Sequence, residues 1–176
     1  MRSRGSPIYG ELMPTATQHL LTLLDLRPDD HFVDLGAGLG KVVLMAAMTT
    51  PARAVVGVEL STSRLGVAEQ ALARARAQAL PGVERARFVE ADMMTVDLDE
   101  ATVVYTCSTA FSDAFMEGLR DRLATLPRLR KLATLQDFDP HPALELTEVH
   151  KLDASWKRKT KVYIYEPAGR SVITKP

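Results

Sequence analysis

The sequence predicts an α/β fold: a mostly parallel, doubly wound sheet of seven strands, with helices on both faces and an antiparallel hairpin strand near the C-terminus. Three observations carry this reading. Short apolar runs alternate with longer segments of helical period as far as Leu135. A glycine-rich turn, Gly36-Ala37-Gly38-Leu39-Gly40, joins the first apolar run to a helical segment. Two later runs, 145–152 and 161–166, alternate in the manner of a hairpin.

In chain order, Met13 to Leu26 reads as an amphipathic helix, with Pro14 tolerated in its first turn and Leu20, Leu21 and Leu24 on one side. Arg27-Pro28-Asp29-Asp30 breaks it. His31 to Leu35 is a short apolar strand, and a helix runs from about Leu39 to Thr49 after the glycine turn. Ala54 to Leu60 (AVVGVEL) is apolar on both faces, as a buried parallel strand is. Ser61 is a candidate cap for a long helix to about Ala79, which Leu80-Pro81-Gly82 ends. Strands follow at Arg85 to Ala91, Ala101 to Thr106 and Lys131 to Leu135, with a helix over Asp113 to Leu126. The hairpin is Glu145 to Leu152 with Lys161 to Glu166, and residues after Pro167 read as a loose tail.

The 176 residues suffice for one domain and its core. Lys+Arg and Asp+Glu number 22 each, so no global field draws the chain to nucleic acid or to an anionic membrane. A single cysteine, Cys107, excludes an internal disulfide and, with four histidines, a Cys-rich zinc cluster. We expect no metal site, no signal peptide, no membrane span and a cytoplasmic setting.

The chemistry points to the glycine turn. Asp34-Leu35-Gly36-Ala37-Gly38-Leu39-Gly40 lies between strand and helix, where absent side chains let backbone N–H groups approach a ligand. An acid two residues before the first glycine, and a third glycine one residue early, set it apart from the nicotinamide pattern G-x-G-x-x-G. Glu59 ends the second strand, where a carboxylate can accept both ribose hydroxyls; Asp92 follows the third, where an adenine edge would lie. Ligands of open α/β sheets bind along that carboxyl edge.

The motif [DE]-x-G-x-G-x-G is similar to motif I of the Rossmann-like class I methyltransferases, which use S-adenosylmethionine. With Ile8-Tyr9-Gly10-Glu11, Val56-Gly57-Val58-Glu59, Ala110-Phe111, and Ser155-Trp156 followed by Lys161-Val162-Tyr163-Ile164-Tyr165, the chain resembles the disruptor-of-telomeric-silencing family. These are histone lysine methyltransferases without a SET domain, and the resemblance spans about Ile8 to Tyr165. It implies a loop within residues 1–12, carrying Tyr9 and Glu11, over the methionine end of the cofactor, then a methyltransferase domain at 13–166 and a tail at 167–176. It puts Asp34, Gly36, Gly38, Gly40 and Lys41 along the motif I edge, Glu59 at the ribose, and Asp92 and Met93 at the adenine. Phe111, Tyr163 and Trp156 would border the acceptor channel. Cys107 and Ser108 stand where the family has a polar Asn-Asn anchor near the methyl group, and Met93 replaces its Phe. The chain offers neither a Lys-rich tail nor a large N-terminal helical extension, so a nucleosomal histone is not the expected substrate.

The expected reaction is therefore methylation of a protein lysine, with RNA or a small molecule as the alternative acceptor. A binding protein without catalysis is the alternative of another class, suggested by the altered Cys107-Ser108-Thr109. Val104-Tyr105-Thr106-Cys107-Ser108 also resembles the nucleophile segment of RNA cytosine-C5 methyltransferases, but the companion Asp-x-Pro-Cys is absent. Lys157, Arg158, Lys159 and Lys161 form a basic turn, either a solvated hairpin tip or a docking patch for an acidic partner or RNA.

Overall fold

The computed structural model describes residues 10–109 and 111–169. In chain order these form α1 (Pro14–Leu24), β1 (His31–Leu35), α2 (Lys41–Thr49), β2 (Ala54–Glu59), α3 (Thr62–Ala77) and β3 (Ala86–Glu90). Then come β4 (Val103–Thr106), α4 (Asp113–Ala124), β5 (Lys131–Thr134), β6 (Leu144–Leu152) and β7 (Thr160–Pro167). The strand order is β3-β2-β1-β4-β5-β7-β6. The first five strands are mutually parallel; β7 inserts antiparallel between β5 and β6. This is the expected mixed sheet of seven.

β1 pairs with both β2 and β4, so the winding reverses there and a crevice opens at the carboxyl ends of these strands. β4 and β5 are buried along their whole length, as apolar strands between two layers must be. Phe32, Val55, Tyr105 and Ile164 join residues of α1, α2 and α3 in one core layer. Val33, Leu35, Val104 and Leu132 join Met116, Leu119 and Leu123 of α4 in the other.

The helix and strand ends depart from expectation for local reasons. α1 stops at Leu24 because Asp25 turns left-handed (φ 48°). α2 starts at Lys41, two residues late, because Gly40 has φ 80° and cannot continue a right-handed helix. Ser61 occupies the N-cap of α3, but its hydroxyl pairs with that of Ser63 instead of capping the helix. No helix of the described residues is long and apolar enough to cross a membrane.

Two devices tie the elements around the sheet together. At the edge far from the crevice, just before β1, β4 and β5, buried Asp30 accepts hydrogen bonds from Thr102 (2.6 Å), the Arg27 amide (2.7 Å) and Arg130 (2.5 Å). Burial alone pushes this carboxyl up, but the bonds from Arg130, Thr102 and Arg27 outweigh it and leave the pKa below the ordinary value. At the near end, the segment before α1 is stitched to the β6–β7 turn. Leu12 bridges Ala154, the Met13 amide donates to the Asp153 carbonyl (2.9 Å), and the Ser155 amide donates to that of Glu11 (2.8 Å).

Candidate active site

The glycine turn folds back under β2 before it meets any ligand. Gly36 and Ala37 donate their amides to the Val58 carbonyl (2.8 and 2.9 Å), and Gly38 donates to Glu59 Oε2 (2.9 Å). The other Glu59 oxygen accepts the Ser61 amide (2.8 Å) and lies 3.3 Å from Arg64 Nη2. This corrects the expectation that the turn's amides face a ligand: these three are spent inside the protein. What the turn leaves open is the N-terminus of α2, which no side chain caps. Ligand amides are therefore to be sought in the first turn of α2.

Gly36 and Gly40 serve different ends. A Cβ on Gly36 would lie 3.3 Å from Met93 Cε, so the Met93 side chain reaches over the turn. A Cβ on Gly40 would stand 2.4 Å from Phe88 Cζ and 2.9 Å from Ala68 Cβ, on the core side. Gly40, expected to touch cofactor, instead lets α2 approach β3 and α3.

Below the turn, Asp34 is only 1% exposed, and its Oδ1 has no hydrogen-bond partner among the described residues. Burial, together with the nearby Glu59 charge, pushes this carboxyl up to about 8. An orphaned acceptor so deep in the protein costs free energy that a donor-bearing ligand would recover. Asp34 lines a small pocket with Gly10, Glu11, Gly36, Lys41 and Cys107. At its rim Lys41 Nζ meets Glu11 Oε1 at 2.5 Å. A buried acid, a cation and a bare helix N-terminus within one pocket match the ammonium and carboxylate of an amino-acid-like ligand. Asp92 lies beside this edge: the Ala91 amide donates to the Glu59 carbonyl (3.2 Å), and Asp92 Oδ1 accepts the Met94 amide (2.8 Å).

The acceptor-side expectations fare unevenly. Phe111 is half-buried against Phe115 (centroids 4.7 Å apart) and packs, like Tyr163 and Met93, on the core layer of α4. Tyr163 stands opposite Thr134 at the crevice edge, with Lys161 Nζ 5.9 Å from its ring centroid. Trp156 is 42% exposed and covers the Gly10 backbone; a Cβ there would be 2.5 Å from Trp156 Cε3. Ser108 is a correction: it is fully buried, its hydroxyl pairs with Thr134 Oγ1 (2.7 Å) and it accepts the Gln136 amide (2.9 Å). It braces β4 against β5 and meets no acceptor. Cys107 does face the pocket, and its thiol bonds the Gly10 carbonyl (3.4 Å). Burial, with the neighbouring Asp34, pushes this thiol up to about 11, so it holds its proton at neutral pH. Ile8, Tyr9 and Ala110 lie outside the described residues.

Sequence reasoning passed over Tyr105 and Gln136. Tyr105 lines the pocket, and the β1–β4 register sets it opposite Asp34. Gln136 follows β5 with a buried, unpartnered Oε1. Neither carries a motif; only strand pairing brings them to the crevice.

Comparison with known proteins gives the family and the fold. Residues 2–172 match the family model described as histone methylation protein DOT1. A histone-lysine N-methyltransferase, H3 lysine-79 specific, of Yarrowia lipolytica is 26% identical over 189 residues, which cover 94% of this chain and 38% of that protein. A protein-lysine N-methyltransferase of Saccharolobus islandicus is 33% identical over 87 residues, 49% of this chain and 51% of that one. The chain thus spans well under two thirds of these relatives' length. Among solved structures, an RNA methyltransferase from Salinibacter ruber in complex with S-adenosyl-L-homocysteine superposes with a TM-score of 0.66 at 23% identity, covering 93% of this chain and 96% of that one. Magnesium protoporphyrin IX methyltransferase from Synechocystis reaches 0.67 at 13% identity, covering 86% and 78%. At these identities the structures speak for the fold, and the family model for the lineage. With residues 2–172 matching the DOT1 model, this chain belongs to the DOT1 family of histone methylation proteins and has the class I S-adenosylmethionine-dependent methyltransferase fold.

Proposed function

We propose that the chain is an S-adenosylmethionine-dependent methyltransferase whose acceptor is a lysine Nε on a protein. The observation that carries the cofactor is the unpartnered, buried Asp34 Oδ1 beside Lys41 and the uncapped α2. Asp34 takes the cofactor's ammonium, while Lys41 and the first-turn amides of α2 take its carboxylate. Glu11, paired to Lys41, lines that end of the pocket beside Gly10. Glu59, whose carboxylate already accepts the Gly38 and Ser61 amides and lies 3.3 Å from Arg64, keeps an acceptor position for a ribose hydroxyl, and Asp92 and Met93 border the adenine.

When bound, S-adenosylmethionine supplies a sulfonium methyl whose C–S bond breaks as the acceptor's N–C bond forms. The chain's part is positioning and dehydration. Phe111, Tyr163 and Trp156 wall the approach, where an apolar, aromatic channel disfavours the ammonium form of lysine and frees its lone pair. Cys107, with its raised pKa, contributes contact rather than covalent chemistry. The lysine acceptor draws support from the named activities of the Yarrowia and Saccharolobus relatives. The exposed basic turn Lys157, Arg158, Lys159 and Lys161 suits docking of an acidic partner or RNA, and a half-buried lone thiol suits a cytoplasmic setting.

The test is radiolabelled methyl transfer into a cell lysate, with the labelled species identified by mass spectrometry and Gly36→Arg as the inactive control. Label on protein lysines supports the proposal. Label only on RNA or metabolites overturns the acceptor, and absence of label overturns catalysis. Glu59→Ala should weaken S-adenosylhomocysteine binding by about tenfold or more in calorimetry.

A further inference from the structure

Beyond the cofactor pocket, a second hollow in the described surface lies between α4 and the segment after β5. It consists of two adjoining parts of about 620 and 410 Å³, which share Arg120, Asp137, Phe138 and Asp139. Phe138, Pro140, Pro142, Leu144, Leu146 and Tyr165 form an apolar floor, with Leu146 43% exposed. The hollow's side chains carry more acceptors than donors: the Tyr165 hydroxyl donates to Asp137 Oδ1 (2.5 Å), and His141 accepts the Ala143 amide at Nδ1 (3.2 Å) with its Nε2 4.0 Å from Asp121. Asp113, Glu117 and Asp137 line the smaller part, Asp139 joins both, and no cation lies within ion-pair distance of these four among the described residues. The arginine in the wall, Arg120, is already engaged: its Nε and Nη2 donate to Asp121 (2.9 and 2.7 Å) and its Nη1 to the Asp139 carbonyl (3.3 Å). Gln136 lines the smaller part, and its Oε1 is buried with no donor.

The hollow also continues the acceptor side. Gln136 Nε2 donates to the Phe111 carbonyl (3.4 Å), so the groove starts one residue's width from the ring that walls the channel. A surface with an apolar floor, four carboxylates and a buried amide acceptor, its arginine already engaged, complements a chain that brings donors and positive charge.

We infer that this groove is a substrate-docking site that binds a basic, extended segment of the protein substrate flanking the acceptor lysine. The inference rests on the proposed transfer to protein. Asp113, Glu117 and Asp139 read neighbouring Lys or Arg side chains, Gln136 Oε1 receives one of their N–H groups or a backbone amide, and Leu146 and Phe138 bury an apolar residue between them. The groove is a specificity determinant and touches neither cofactor nor methyl group.

Binding can be measured without catalysis, which keeps the two readings separate. Fluorescence anisotropy of the whole chain with a short labelled peptide of Lys, Arg, Leu and Ala should show saturable binding that weakens with salt. The same peptide with Glu at every basic position should not bind. Asp113→Asn/Glu117→Gln/Asp139→Asn should weaken the basic peptide by about tenfold, three exposed pairs together being worth about that much. Leu146→Ser should weaken it less, and all variants should bind S-adenosylhomocysteine as the parent does. Equal binding of the basic peptide by parent and triple variant, equal binding of the acidic peptide, or no binding of the basic one overturns the inference. If S-adenosylhomocysteine still binds in those cases, the methyltransferase reading stands.

Discussion

Asp34→Asn should stabilise the cofactor-free protein while weakening its hold on cofactor. In the folded chain the Asp34 carboxyl is pushed from 3.8 up to about 8 by burial and by Glu59. Between those two values the native state holds a proton that the unfolded state has released, so stability falls as pH rises through that window and levels off above it. Each pH unit costs about 1.4 kcal/mol, so at pH 7 the buried acid has cost about 4 kcal/mol relative to a group that does not titrate. Asparagine has nearly the same shape and no proton to gain, but it leaves an amide without full hydrogen bonding, worth about 1–3 kcal/mol. The net gain at pH 7 is about 1–3 kcal/mol, or about 3–10 °C in Tm for a chain of this size. Thermal denaturation followed by circular dichroism at pH 4.5, 7 and 8 reads it directly. The variant should match or trail the parent at the acid end and lead it increasingly towards pH 8. On the proposed binding mode, S-adenosylhomocysteine should bind about 10–100-fold more weakly, because the carboxyl that gives up its proton on meeting the ligand's ammonium is gone. A stability difference that ignores pH, or a variant less stable than the parent at pH 8, refutes the assignment of a strained, protonated Asp34.

Gly40→Ala would force a Cβ to 2.4 Å from Phe88 Cζ at φ 80°, and urea titration should show a loss of about 2–4 kcal/mol. Cys107→Ser should keep methyl transfer, and the parent thiol should resist iodoacetamide at pH 8 in the folded state, because its pKa is pushed up to about 11. Asp30→Asn leaves Arg130 facing a neutral group in a half-buried site and should cost about 3 kcal/mol at pH 7. Because the Asp30 pKa lies below its ordinary value, that cost should shrink as pH falls beneath the ordinary carboxylate range.

Legibility followed the range of the forces involved. Strands such as Val103–Thr106 were readable because a run buried on both faces must be apolar throughout. Asp34 and Glu59 stood out as acids at strand ends, where an open sheet has its crevice. Positions decided by partners far along the chain were not readable. Nothing near Gly40 announces that Phe88, 48 residues on, needs its bare Cα. Nothing near Ser108 says that its hydroxyl meets Thr134 rather than a substrate. Tyr105 became a pocket residue only through its register with Asp34. Helix ends failed for a smaller reason: Asp25 and Ala79 adopt positive φ without being glycine, which composition does not reveal.

The stitch between Glu11 and Ser155 joins positions 144 apart in the chain. On a ribosome, the wall that Glu11 adds to the pocket of Asp34 cannot be fixed until the β6–β7 hairpin has emerged, long after the glycine turn and both strand-end acids are made. A ligand that needs that wall can therefore not serve as a template for early folding, and should bind only once the hairpin has been made.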